Sequence, residues 1–220
     1  MKTGILFDLD GTLVDTAEDL AAAMNFALVE MGFTPVDTAA VRSLVGYGAR
    51  RMLIRGMELA GGDAADDDAI GRGLTHFLDH YENNIAVSSR PFAGAVEMIE
   101  DLKKRGHRFA ICTNKREALA RALLAELQLD EYFEVIVGAD TALAPKPDPA
   151  PVRLAMQRIG VDDAIFIGDS DTDILAARNA NLPCLVATFG YGPVTLEPAN
   201  GAIFGSYRDC TAIINSMVRR

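Results

Sequence analysis

The chain has no tryptophan, three histidines and three cysteines in 220 residues. Cys112, Cys184 and Cys210 are widely spaced and odd in number. That argues against a disulfide-stapled scaffold and against a thiolate metal centre, and fits reduced thiols in a cytoplasm. Cys112 reads as strand packing. His76 and His80 have metal-pair spacing, but no third ligand type stands nearby, so they read as a solvated helix face. Positive charge is also scarce: 21 Lys and Arg stand against 31 Asp and Glu, for a net charge of −10. Nucleic acid and anionic membranes are therefore poor candidates for main partner. No apolar run approaches the roughly 20 residues that cross a bilayer. Met1-Lys2-Thr3-Gly4 leads straight into an apolar strand broken by acids. No secretory leader is expected from that start, and a cytoplasmic location is. Internal repeats and low-complexity stretches are absent.

What is present suffices for a substantial core. Hydrophobic residues make up 50% and charged residues 24%, as in an ordinary soluble globule. The length fits one domain with an insert, or two small domains.

The most informative segment is Ile5-Leu6-Phe7-Asp8-Leu9-Asp10-Gly11-Thr12-Leu13-Val14-Asp15. An apolar strand runs into two aspartates. If the strand continued, both carboxylates would point to one face; Gly11 instead favours a turn. Either way two acids sit at the carboxyl end of a buried strand, where open α/β sheets place ligands. Aspartate can carry a phosphoryl group, and carboxylates are the oxygen donors Mg²⁺ prefers. Against this stands a plain Asp-Gly turn.

Three later segments weigh against the plain turn. Phe109-Ala110-Ile111-Cys112-Thr113-Asn114-Lys115 is a strand ending in a hydroxyl and an amide before a helix. That suits a phosphate oxygen, or a plain N-cap. Ala144-Pro145-Lys146-Pro147-Asp148-Pro149 fences one lysine with three prolines, which stiffen the backbone around a point charge. The alternative is a lysine in an exposed turn. Ala164-Ile165-Phe166-Ile167-Gly168-Asp169-Ser170-Asp171-Thr172-Asp173 ends a third strand with three acids in five residues. Such acids repel unless a cation compensates them. One of them would suffice to cap the following helix.

Asp8-Leu9-Asp10-Gly11-Thr12, Thr113, Lys146 and Gly168-Asp169-Ser170-Asp171-Thr172-Asp173 together resemble the four ordered motifs of the haloacid dehalogenase-like hydrolase superfamily. Within it the chain most resembles phosphoglycolate phosphatases, through Phe7–Thr16, Val45-Gly46-Tyr47-Gly48-Ala49 and Phe189-Gly190-Tyr191-Gly192. The resemblance implies a Mg²⁺-dependent phosphatase. Asp8 is then the nucleophile and Asp10 the acid and base. The metal falls to Asp8, the Asp10 backbone carbonyl and Asp169. Asp173 supports from behind, Thr12 steadies the loop, and Thr113, Asn114 and Lys146 hold the phosphoryl oxygens. Specificity would come from Gly46, Tyr47 and Gly48, with Arg50 or Arg51 pairing with a substrate carboxylate; the bland alternative is that both arginines are surface residues. The expected partner is a small phosphorylated metabolite, best guessed as 2-phosphoglycolate. A phosphomutase and a sugar-phosphate phosphatase share these features. A non-catalytic binding protein would not need every position filled. The oligomeric state is not legible.

The expected fold is α/β: a Rossmann-like parallel sheet core, residues 1–15 and 87–220, with a small helical cap, residues 16–86, inserted after the first strand. Thr16 and Asp19 have capping-box spacing, and apolar residues at helical spacing follow to Gly32. Further helices are expected at about 37–46, 50–60 and 68–84, with Asp66-Asp67-Asp68 as a helix start. From Pro91 helices and strands alternate: helix 95–105, the strand before Thr113, helix 116–127, strand 134–138, helix 148–159, strand 164–168, helix 172–180, strand 184–187, a last strand at 201–204 and helix 207–218. This alternation implies a parallel sheet covered on both faces.

Overall fold

Gly4–Phe7 forms β1, the central strand, and all four of its residues are buried. The computed structural model describes residues 3–63, 66–192 and 194–218. Met1 and Lys2 of the leader reading, and Ala64 and Ala65 of the link before Asp66, lie outside the described residues. After β1 come β2 (Val14–Asp15), α1 (Ala17–Glu30), α2 (Thr38–Arg42), α3 (Ala49–Leu59) and α4 (Asp67–Asn83). The chain continues through β3 (Arg90–Pro91), α5 (Ala95–Lys104), β4 (Arg108–Cys112) and α6 (Glu117–Glu126). A 3₁₀ turn at Asp130–Tyr132 leads into β5 (Val135–Val137), α7 (Ala150–Ile159), β6 (Ala164–Gly168) and α8 (Asp171–Asn179). It finishes with β7 (Cys184–Ala187), β8 (Ala202–Phe204) and α9 (Tyr207–Val218).

Six strands form one parallel sheet in the order β5-β4-β1-β6-β7-β8. Phe7 lies level with Ile111 of β4 and with Ile167 of β6. The carboxyl ends of these three strands therefore finish side by side. β1 is also where the strand order reverses, the crevice in which open α/β sheets bind ligands.

Strand alternation sorts the side chains to two faces. Ile5, Phe7, Phe109, Ile111, Ile165 and Ile167 pack on one face, with residues of α5, α6 and α9. Leu6, Ala110, Cys112, Phe166 and Val186 pack on the other, against α7 and α8. Cys112 is buried in the second of these layers, as expected of strand packing. The four helices α1 to α4 bury a cluster of their own, including Leu20, Met24, Leu28, Leu53, Met57, Phe77 and Tyr81.

A feature that the sequence pattern does not reveal ties this helical segment down. β2 and β3 pair antiparallel, Val14 with Pro91 and Asp15 with Arg90, so the strands entering and leaving the segment meet. Each is two residues long, too short for any period-2 signal. The capping box at Thr16 and Asp19 does not form. Thr16 precedes α1 without a side-chain cap bond; its hydroxyl donates to Asp10 instead. Asp19 accepts from Ser88 N, Ser89 N and the Ser89 hydroxyl. The spacing was right for a cap, but Thr16 turns back to Asp10 and Asp19 has long-range partners. Asp66 does cap α4, accepting from Ala69 N. His80 stacks on Phe26 at 4.5 Å between ring centroids.

Tyr191 supplies what Thr16 does not. Its hydroxyl accepts from Thr16 N and Ala17 N and donates to Asp15 Oδ1 at 2.7 Å. It is 7% exposed and packs in the helical cluster, so a residue after β7 closes the start of α1. Tyr191→Phe strands two backbone donors, which costs about 1–3 kcal/mol. The urea midpoint should fall with the slope unchanged; an unchanged midpoint would contradict this role.

Candidate active site

The chain turns immediately after β1. Asp8 N donates to Ile167 O, while Leu13 N and Val14 N both return to Leu9 O. Gly11 holds φ +82°, and a Cβ there would stand 2.5 Å from Asp169 Oδ2. Both the backbone conformation and the space demand glycine. The turn separates the two aspartates, so the reading in which both carboxylates share one strand face does not hold.

Asp8 faces Lys146. The Lys146 ammonium lies 2.9 Å from Asp8 Oδ1 and 2.7 Å from Asp173 Oδ1, with its side chain 1% exposed. Leu9 N also donates to Asp8 Oδ1, at 2.7 Å. Asp8 Oδ2 makes no hydrogen bond among the described residues. The proline-fenced lysine is therefore buried in the site and not in an exposed turn. Asn114 fixes its backbone: Asn114 Oδ1 accepts from Lys146 N at 2.9 Å, and its amide donates to Lys146 O and to Gly46 O. Thr113 is not a helix cap. Arg116 holds the N-cap position of α6, and the Thr113 hydroxyl accepts from Lys115 N at 3.2 Å.

The three acids after β6 divide their tasks. Asp169 accepts from the Thr12 hydroxyl at 3.0 Å and from Tyr191 N at 2.9 Å. Asp173 forms a capping box with Ser170, and its Oδ2 also accepts from Asp169 N. It thus joins the helix start to Lys146. Asp171 points away, accepting from Thr195 N and Leu196 N.

Oxygen atoms of Asp8, Asp169 and Asp173 lie within 4.8 Å of one another, all from buried residues. Asp169 has no ion-pair partner among the described residues. Burial pushes it up to about 8, and repulsion from Asp173 and Asp8 adds to this. Burial likewise raises Asp8 to about 6, against the opposing pull of Lys146. Burial alone would lower Lys146, but Asp173 and Asp8 raise it. Three carboxylates are gathered here, and the one ammonium pairs with two of them, Asp8 and Asp173. An all-oxygen donor set with excess negative charge fits a hard divalent cation.

Above the site lies a cavity of about 430 Å³. Asp8, Asp10, Thr113, Asn114 and Lys146 line its floor, and Gly46, Tyr47, Gly48, Arg50 and Arg51 line it from the helical segment. Gly48 holds φ +85° in front of α3, facing the Asn114 carbonyl. Arg50 is exposed and paired with Asp67 at 2.6 Å; Arg51 is also exposed.

A sequence profile of haloacid dehalogenase-like hydrolases matches residues 5–187. The chain belongs to this family. Among similar proteins, the phosphoglycolate phosphatase of Caulobacter vibrioides is 45% identical over 198 residues, covering 88% of this chain and 81% of the relative. The phosphoglycolate phosphatase of Rhodospirillum rubrum is 40% identical over 196 residues, covering 87% and 81%. The crystal structure of a predicted phosphoglycolate phosphatase from Haemophilus somnus superposes with a TM-score of 0.86 at 27% identity, covering 97% of this chain and 98% of that one. No helix among the described residues is long and apolar enough to cross a membrane.

The structure of this haloacid dehalogenase-like hydrolase adds two residues to the site that motif reading does not single out. Lys115 lies 2.8 Å and 2.9 Å from the two oxygens of Asp10, and over the Tyr81 ring at 4.6 Å. Its position directly after Thr113 and Asn114 was the available signal. Tyr191 was visible only as part of a glycine-flanked loop.

The raised Asp169 carries a stability consequence. Its folded pKa stands above its unfolded value, so the folded state holds a proton that the unfolded chain releases. Its contribution to stability is therefore lost as pH rises from about 4 towards 8. In chelator at pH 9, Asp169→Asn should melt roughly 2–8 °C above the parent. Equal or lower melting would contradict the crowding of these carboxylates.

Proposed function

We propose that this hydrolase is a phosphatase that cleaves 2-phosphoglycolate, with residues 16–86 acting as a cap over a core of residues 1–15 and 87–220. The observation that carries the reading is the pairing of a buried, lysine-bound Asp8 with a second aspartate, Asp10, on the floor of the cavity. The relatives named above supply the substrate. The separate hydrophobic cluster of α1 to α4 and the β2–β3 pair support the division into cap and core.

Asp8 attacks phosphorus as its ester bond breaks, forming an aspartyl-phosphate. Lys146 and Leu9 N fix Oδ1, so Oδ2 is the attacking oxygen. Asp10 donates a proton to the leaving oxygen. It then takes one from the water that attacks the phosphoryl group and frees Asp8. Thr113, Asn114 N–H and Lys146 hold the phosphoryl oxygens, because this transfer depends on positioning and charge neutralisation. Mg²⁺, held by the Asp8 side chain, the Asp10 backbone carbonyl and Asp169, would neutralise charge on those oxygens. Thr12 keeps Asp169 oriented, and Asp173 keeps Lys146 and the α8 start in place. Gly46, Tyr47, Gly48, Arg50 and Arg51 close the outer part of the cavity and shape access to it.

Asp8→Asn should lower kcat by several orders of magnitude, as expected for loss of a covalent nucleophile. Turnover should stop in strong chelator and return with Mg²⁺, while Ca²⁺ substitutes poorly because its shell is larger and looser. Release of inorganic phosphate across a panel of phosphate esters is the deciding assay. 2-Phosphoglycolate should exceed neutral-tail esters in kcat/KM by roughly ten- to a hundred-fold, the worth of one charge-assisted pair. Sugar phosphates outrunning it would overturn the substrate while leaving the chemistry intact.

A further inference from the structure

The cap contributes one anomaly to the cavity. Tyr81 of α4 is 1% exposed, lines the cavity, and its hydroxyl is the one buried side-chain polar atom without a hydrogen-bond partner among the described residues. Buried hydroxyls are normally satisfied, so an exception calls for a reason. Beside it stands Lys115, with its side chain 5% exposed, lining the same cavity. Among the described residues, the only carboxylate it pairs with is that of Asp10. Around them Leu20, Leu74, Phe77 and Leu78 form an apolar wall.

We propose that Lys115 and the Tyr81 hydroxyl together form the subsite that reads the substrate's carboxylate, in place of Arg50 or Arg51. The inference rests on the phosphoglycolate reading and deepens it. A leaving oxygen that takes a proton from Asp10 must touch that carboxyl group. In phosphoglycolate the carboxylate carbon is two bonds from this oxygen. Two side chains touch Asp10, Thr16 and Lys115; of the two, Lys115 lines the cavity and carries a positive charge, so the carboxylate arrives beside it. The ammonium has three donors, enough to face Asp10 and a substrate oxygen together. The Tyr81 hydroxyl supplies a further donor that has no other acceptor. Arg50 is already paired with Asp67 and, like Arg51, is solvated, so a contact there would be screened. Lys115 and Tyr81 are desolvated, where such a contact discriminates most strongly.

The test compares kcat/KM for 2-phosphoglycolate and for ethyl phosphate, which has the same two carbons and no carboxylate. In the parent protein the ratio should be large. Lys115→Gln should cut this ratio by about ten-fold or more, and Tyr81→Phe by about three- to ten-fold. Arg50→Ala and Arg51→Ala should each change it by less than about three-fold. Lys115 also touches Asp10, so its variant will slow both esters; only the ratio reports recognition. Tyr81→Phe removes a single atom without a partner and keeps the test available if Lys115→Gln folds poorly. A parent enzyme with no preference would overturn the phosphoglycolate reading, and this inference with it. A clear parental preference that survives both Lys115→Gln and Tyr81→Phe would overturn this inference alone. So would a ratio that collapses in Arg50→Ala or Arg51→Ala.

Discussion

Lys146 stands between Asp8 and Asp173, all but excluded from water. A buried ammonium is tolerated only when paired and hydrogen-bonded, and here the pairing brings three chain segments together: the turn after β1, the proline-fenced loop and the start of α8. Removing the lysine would leave two buried carboxylates facing each other beside a third. The sheet brings these segments near one another through the pairing of β1 with β6 on one side and with β4, and β4 in turn with β5, on the other; the lysine makes their approach electrostatically possible. It does not complete the balance. Asp169 makes no ion pair with it, and the residual negative charge is what the proposed Mg²⁺ would neutralise.

The helical segment is coupled to this floor by few but specific contacts. Asn114 holds the Lys146 backbone with one side of its amide group and donates to Gly46 O with the other. Tyr191 donates its backbone N–H to Asp169 and receives the first amides of α1 on its hydroxyl. Asp10 accepts from Thr16 on one side and Lys115 on the other. Each joins a group at the chemistry to a group in or beside α1 to α4. In the proposed mechanism, the position of this segment over the sheet and the geometry around Asp8 and Asp10 are therefore linked.

Much of this was legible in the sequence. The strands ending at Asp8, Thr113 and Asp169 announce themselves because each is an apolar run that stops at a polar group. The alternation after Pro91 gives the parallel sheet, and α1 to α4 follow from apolar spacing with glycine stops. What was not legible is contact between side chains distant in sequence. Asp19, three residues after Thr16 as in a local cap, bonds instead to Ser88 and Ser89 some seventy residues on, while Thr16 turns back to nearby Asp10. Lys115 looks like one more lysine beside a helix until the fold places Asp10 and Tyr81 around it. The β2–β3 pair is too short to carry a pattern. Of the acids after β6, spacing alone could not separate Asp171, which ties down Thr195 and Leu196, from Asp169 and Asp173, which face the site.

In the proposed mechanism, phosphoryl transfer passes through Asp8 and not directly to water. Hydrolysis of the phosphorothioate analogue of 2-phosphoglycolate, chiral at phosphorus through sulfur and two oxygen isotopes, in water of the third isotope reads this directly. Two in-line displacements, first by Asp8 and then by water, give inorganic thiophosphate with retained configuration. Inversion would mean a single attack by water and would contradict the account.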